Sequence, residues 1–234
     1  MIYPHGDIEP IGTDLYMVRG SIKLNPLMRI SRNMGIVREG SKLTLVNPIR
    51  LRLDIEKKLE ALGDIKNIVR LGAFHGVDEG YYVETFGAQF WSQPNGVTYN
   101  EPLIDIEIGM GGLTPVEDSQ FFEFNETVEP ECALLLERDG GVLFTCDSIQ
   151  NYADYSFNNW ATKLVLPWIG FPKATIVGPI WLKLMTPKNG SLEEEFKRLL
   201  KLRFEKLLSA HGTFLAGDAH SAVKNAIEKA FMAK

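Results

Sequence analysis

Segments with the residue pattern of strands alternate along this chain with segments that have the pattern of helices. The first half contains strand-type runs at 15–20, 34–40 and 42–48, a helix-type segment at 54–63, a strand at 65–72, a helix at 78–87 and a strand at 88–94. Alternation of this kind predicts sheets that are covered by helices, because a sheet must bury its apolar face against another layer.

The second half of the chain predicts the same two kinds of element. Residues 121–150 return to strand patterns, and the sequence at 138–141 is typical of a hairpin turn. A helix at 191–200, a strand at 206–212 and a final amphipathic helix follow. Two such halves predict an α/β fold in which two sheets pack together with helices on the outside.

Capping residues predict where two of the helices begin. Asp54 stands directly before the apolar pattern of the first helix and is its expected N-cap. Ser191 and Glu194 have the spacing of a capping box, in which each side chain bonds the other residue's backbone N–H. The helix at 191–200 is therefore expected to begin at Ser191.

Composition and charge narrow the classes of function. The chain has 234 residues, 45% of them hydrophobic, and we expect one domain over 1–234 with a buried core. Its net charge of -5 offers no basic surface for nucleic acid. The two cysteines, Cys132 and Cys146, exclude a disulfide framework and are typical of a reducing compartment. Because the N-terminal sequence MIYPHGDIEP lacks the pattern of a signal peptide, we expect a cytoplasmic protein.

An apolar segment at 164–182 lies within an insertion at about 151–190. It contains three prolines and Lys173, so we expect no membrane span. Two interpretations stay open at this point. The segment is either a packed helical cap or irregular hairpin, or an apolar surface that serves as a lid, a homodimer face or a membrane-surface contact.

Three motifs occur in order along the chain. Opening strands at 8–51 reach a turn at Asn47-Pro48, the sequence GGVLFTCDSI at 140–149 ends a strand at Asp147, and LLSAHG at 207–212 closes with His211. Together they resemble the metallo-β-lactamase-fold superfamily. The resemblance implies a four-layer αββα sandwich in which Asp147 matches a metal-bridging aspartate and His211 a metal-binding histidine.

The metal signature of that superfamily is incomplete in this chain. Where an H-x-H-x-D-H motif is expected, the sequence at 72–80 reads GAFHGVDEG and keeps only one histidine, His75. Asp78 follows one residue too late, and Glu79 stands in place of the last histidine. The superfamily's dinuclear site uses five histidines and two aspartates, whereas this chain has four histidines in total. The chain therefore resembles a divergent branch with a reduced site.

Another histidine of that site has no counterpart here. The matching stretch at 127–133 offers only Glu129 and Glu131 as donors. Beside Asp147, Cys146 replaces the usual glycine, either as a further ligand or as a buried thiol. His5 is expected to be superficial or disordered, and His220 to lie on the surface in the first turn of the last helix.

The resemblance implies that His75, Asp78, Asp147 and His211 converge. Two imidazoles and two carboxylates suit one divalent ion of Zn, Mn or Fe. Asp78 or Glu79 would then act as the base, or would orient a histidine ligand through a hydrogen bond. This set predicts a metal-dependent hydrolase of a small ester, thioester, lactone or phosphoester.

The alternative is a metal-free, non-catalytic member that serves as a binding or interaction module. His75 would then cap the next helix or lie in a solvated loop. His211 would bond Asp147 without any metal.

Overall fold

In the computed structural model, which describes residues 1–109 and 111–232, strands that follow one another in the chain also lie side by side in a seven-stranded sheet. Its members are β1 (His5–Gly12), β2 (Leu15–Lys23), β3 (Arg29–Glu39), β4 (Lys42–Val46), β5 (Asp64–Val69), β6 (Gln89–Ser92) and β7 (Ile106–Glu107). β1 to β4 pair antiparallel, whereas β4 to β7 pair parallel. Parallel pairing requires crossovers, and helices provide two of them.

The second sheet has four strands in the order β13-β10-β9-β8. The strands of the second half are β8 (Ser119–Glu123), β9 (Cys132–Leu136), β10 (Val142–Thr145), β11 (Ile149–Asn151), β12 (Thr175–Val177) and β13 (Lys206–Ser209). β9 and β10 form the hairpin that the sequence predicts, while β10 and β13 pair parallel. β11 and β12 form a separate antiparallel ribbon.

Helices cover the outer face of each sheet. The helices are α1 (Leu53–Leu62), α2 (Glu79–Phe86), α3 (Trp160–Val165), α4 (Pro179–Met185), α5 (Glu193–Leu199) and α6 (Ala219–Met232). Apolar residues of α1 and α2 share one core with the first sheet. Residues of α4, α5 and α6 share another with the second sheet. Among the residues described, none of the helices combines the length and the apolar character needed to cross a bilayer.

Alternation along the central strands explains the layer order. In β9, Leu134 faces the core between the two sheets, whereas its neighbour Leu135 packs in the core beneath the helices. Phe144 and Leu143 of β10 divide between the two cores in the same way. Because successive side chains of a strand point to opposite faces, a strand that is apolar at every position must be covered on both sides. The predicted αββα sandwich is confirmed.

Two helices begin differently from what the sequence predicts. Asp54 does not cap α1, because the Arg52 guanidinium holds its carboxylate at 3.3 Å, and Arg52 is itself the N-cap residue. α5 begins at Glu193 rather than at Ser191, because the fully buried Leu192 occupies the N-cap position.

His5 is buried on β1 rather than superficial. Its Nδ1 donates to the carbonyl of Gly6, and its Nε2 accepts a hydrogen bond from the backbone N–H of Arg52 at 2.8 Å. The prediction of a superficial His5 was wrong, because this bond ties the first strand to the start of α1.

The insertion at 151–190 contains α3, a 3-10 turn at Leu166–Ile169, β12 and α4. Part of it is packed: Tyr152, Leu166 and Phe171 form a small core of their own. The expectation of a single domain over 1–234 stays a prediction, and Met110 and residues 233–234 of that span lie outside the described residues.

Candidate metal centre

Three loops at one edge of the sandwich bring His75, Asp147 and His211 together. β10 and β13 are parallel neighbours with Thr145 opposite Ser209. Asp147 and His211 each stand two residues beyond that pair, so the two chain ends deliver them to the same edge. His75 comes from the loop between β5 and α2, on the first sheet.

The donor atoms of these three residues are closely spaced. His211 Nε2 lies 3.0 Å from one Asp147 carboxylate oxygen, and His75 Nε2 lies 3.4 Å from the other. The two Nε2 atoms are 3.2 Å apart. Ligand atoms at about 2.1 Å from a tetrahedral zinc ion are about 3.4 Å from one another. The spacing of the three residues therefore fits a single bound ion.

Hydrogen bonds aim the lone pair of His211 into this cluster. Its Nδ1 lies 2.6 Å from the carbonyl oxygen of Ser31, which can only accept, so Nδ1 carries the proton. Nε2 faces the Asp147 carboxylate, so it either donates a hydrogen bond to that carboxylate or, when it carries no proton, offers its lone pair to a metal. Either a proton or a metal cation must therefore lie between Nε2 and the carboxylate. A backbone carbonyl behind the imidazole is the usual arrangement of a metal-binding histidine.

The electrostatics of the cluster keep Asp147 ionised. Burial by itself would raise its pKa, but His75 and His211 outweigh this effect and hold the pKa well below its usual range. Burial lowers the pKa of His75. For His211 burial acts in the same direction, but the hydrogen bond to Asp147 outweighs it and the pKa is raised. A buried carboxylate beside two imidazoles is a donor set suited to Zn, Mn or Fe.

A second group of donors adjoins the first through Asp147. Glu131, Cys146 and Asp147 have ligand atoms within 4.8 Å of one another. Glu131 is fully buried and accepts hydrogen bonds from Ser148 N at 2.8 Å and Trp181 Nε1 at 2.7 Å. Burial and the charge of Asp147 raise the pKa of Glu131 to about 8. Burial also raises the pKa of the Cys146 thiol, which disfavours the thiolate that binds metals.

Asp78 and Glu79 lie outside the cluster of three donors. The Asp78 carboxylate pairs with Arg32 at 2.8 Å, and Arg32 also donates to the carbonyl of Pro48 at 2.9 Å. Glu79 is fully buried and accepts from the backbone N–H of Asp78 at 3.0 Å. Their predicted roles, Asp78 as a ligand and either residue as the base, stay predictions.

The candidate residues His220 and Glu129 have hydrogen-bond partners outside the cluster. His220 lies on α6 with its Nε2 2.9 Å from the carbonyl oxygen of Leu200, and Glu129 accepts from the backbone N–H of Val97.

Ser31 and Arg32 were not predicted from the sequence. Ser31 orients His211 through its backbone carbonyl, which any residue would supply. Arg32 stands between Ser31 and Asn33 within β3, where no apolar pattern marks it as buried.

Two cavities meet at the cluster, and both are lined by Asp147 and His211. One, of about 220 Å³, is otherwise lined mostly by apolar residues of the insertion. The other, of about 390 Å³, also contains Arg32, Lys23 and His75. A larger groove of about 760 Å³ lies between the insertion and α6 and contains no residue of the cluster.

Solved structures of metallo-β-lactamases resemble this chain over nearly its whole length. The protein from Hirschia baltica is 13% identical, with 96% of each chain covered and a TM-score of 0.65. FIM-1 from Pseudomonas aeruginosa, in its mono-zinc form, is 12% identical over 98% of this chain and 97% of its own, with a TM-score of 0.66. The metallo-β-lactamase from Pontibacter korlensis is 12% identical over 95% and 97%, with a TM-score of 0.63. No family model and no curated protein matches the sequence. The chain has the metallo-β-lactamase fold, as the three motifs predict.

Proposed function

We propose that this chain is a metal-dependent hydrolase with a reduced, mononuclear site held by His75, Asp147 and His211. The observation that carries the proposal is the convergence of these three donors within 3.0 to 3.4 Å of one another. The mono-zinc form of FIM-1 supports it, because that protein has the same fold and binds one zinc in that form.

In the proposed hydrolysis, the metal ion and the residues around it have distinct roles. A bound divalent ion would polarise a carbonyl or phosphoryl oxygen and lower the pKa of water. Asp147 supplies the negative charge that retains the cation, and the Ser31 carbonyl keeps His211 in the tautomer that binds metal. Arg32, which Asp78 holds in place, lines the cavity beside His75 and can bind a developing negative charge. Asp78 thus acts as a positioning residue in this proposal.

The substrate class is a small ester, thioester, lactone or phosphoester, and the setting is the cytoplasm. The two cavities at the cluster are large enough for a small molecule and not for a folded partner. Two buried free cysteines are consistent with a reducing compartment.

Elemental analysis tests the metal site directly. The protein is purified without chelator beside His75→Ala/His211→Ala, with His220→Ala as the matched histidine control. We expect about one zinc, manganese or iron ion per chain in the parent protein and in the control, and none in the double variant. Metal-free parent protein, or a double variant that keeps its metal and its fold, would refute the site.

A second candidate function is a metal-free binding module that forms a homodimer through 164–182. The observation in its favour is the exposed apolar surface of this segment, where Trp168 is 90% and Leu164 63% exposed. Exposed patches of this kind mark interaction sites. Light scattering after size exclusion tests it: a dimer should become a monomer in Trp168→Glu but not in Val97→Glu, which replaces an exposed residue elsewhere. A monomeric parent protein would contradict it.

A further inference from the structure

The cavity of about 220 Å³ beside the candidate metal centre is lined mainly by apolar side chains. Apart from Asp147 and His211 its walls are largely aliphatic and aromatic. They come from the insertion and from the loop before β3, and include Met28, Leu166, Phe171, Ile180, Trp181 and Leu184. Leu166, Phe171 and Trp181 are buried, whereas Ile180 and Leu184 are about half exposed at the mouth. The cavity therefore offers a continuous apolar path from the surface to the cluster.

The second cavity, of about 390 Å³, differs in charge. It shares Asp147 and His211 with the first, but adds the cations Arg32 and Lys23 and the phenol of Tyr99. When an ester or thioester is cleaved, the leaving group gains negative charge. We therefore place the leaving group in the cavity that contains the cations, and the acyl part of the substrate in the apolar cavity.

We infer that the apolar cavity binds the acyl chain of the substrate, and that the substrate is an ester or thioester of a straight-chain carboxylic acid. This inference rests on the proposed function. In the reaction, water adds to the acyl carbon and the bond from that carbon to the leaving oxygen or sulfur breaks. The leaving group takes up a proton from the water, and the products are the carboxylic acid and an alcohol or thiol.

The volume of the cavity sets the length of the chain. At about 30 Å³ for each water-sized unit, a cavity of about 220 Å³ holds about seven such units, so we expect it to accept an acyl chain of roughly seven carbons. Each methylene that moves from water into an apolar site tightens binding about two- to fourfold. Longer chains extend past Leu184 into water and gain nothing further.

The test combines binding and turnover. Binding of 1-hexanol, 1-octanol and 1-decanol to the EDTA-treated protein is measured by calorimetry, because neutral alkanols test the cavity without any metal. The metal-loaded protein is then assayed with p-nitrophenyl esters from acetate to dodecanoate. We expect affinity and kcat/KM to rise about two- to fourfold per methylene and to level off at roughly seven carbons.

Variants at the mouth of the cavity complete the test. Leu184→Glu and Ile180→Glu place a charge at the apolar rim and should abolish the dependence on chain length in both measurements. Leu113→Glu, an equally exposed leucine outside the cavity, should retain it. Alkanol binding that increases with length in a protein without esterase activity would leave the acyl site standing and refute only the hydrolase. Chain-length independence in both measurements, or the same dependence in Leu184→Glu, would overturn the acyl site.

Discussion

Removing the Asp78 carboxylate should destabilise the protein without removing its metal. The pair of Arg32 and Asp78 is almost fully buried, with 3% and 6% of the two side chains exposed. In Asp78→Ala the Arg32 guanidinium stays buried and loses its counter-charge, which typically costs about 3–5 kcal/mol. For a chain of this length, we expect the melting temperature to fall by roughly 10 °C.

A double-mutant cycle isolates the ion pair from other effects. Arg32→Met also leaves the carbonyl of Pro48 without its partner, so this single variant should lose a similar amount of stability. Arg32→Met/Asp78→Ala removes both charges, and only the lost bond to Pro48 remains, at about 1–3 kcal/mol. The double variant should therefore be more stable than either single variant.

The melting temperature and the metal content are measured for four proteins: the parent, the two single variants and the double variant. We expect Asp78→Ala to melt at a lower temperature, the double variant to recover most of the loss, and all four proteins to retain their metal content. Normal melting of Asp78→Ala without bound metal would contradict this expectation, because Asp78 would then be a ligand. A double variant no more stable than Asp78→Ala would refute the account of the ion pair.

Two further predictions concern buried groups. In EDTA-treated protein, Glu131 has a pKa of about 8 when folded against an ordinary value of 4.5, so the folded chain retains a proton that the unfolded chain releases. The contribution of Glu131 to the free energy of unfolding should therefore fall as pH rises between these two values, by at most about 1.4 kcal/mol per pH unit. The melting temperature of Glu131→Gln should depend less steeply on pH than that of the parent protein. A Cβ at Gly35 would lie 2.4 Å from the Phe144 ring, so Gly35→Ala should cost about 1–3 kcal/mol in urea unfolding. Gly80→Ala in α2 meets nothing within 4 Å and should instead add roughly 0.5–1 kcal/mol; equal midpoints for the two glycine variants would contradict this account of packing.

The layer order and the three residues of the candidate site, His75, Asp147 and His211, were predictable from the sequence. The layer order depends on local patterns, and the site residues on motifs that resemble the metallo-β-lactamase-fold superfamily. The run in β9 is apolar at every position, and so are the first three residues of β10, which requires cover on both faces. Asp147 and His211 each follow a strand closely, so their meeting at one edge of the sheet follows from the parallel pairing of β10 and β13.

The direction of the remaining side chains was decided by tertiary contacts. Asp78 is turned toward Arg32, which is 46 residues away in the chain, and His211 is oriented by a carbonyl 180 residues away. Local patterns restrict the backbone, because they arise from neighbours a few residues apart. They hold no information about which distant group will satisfy a buried charge, since that depends on how the two sheets pack. The sequence by itself therefore determined the sandwich and the edge at which the site lies, while the packing of the two sheets decided which donors meet there.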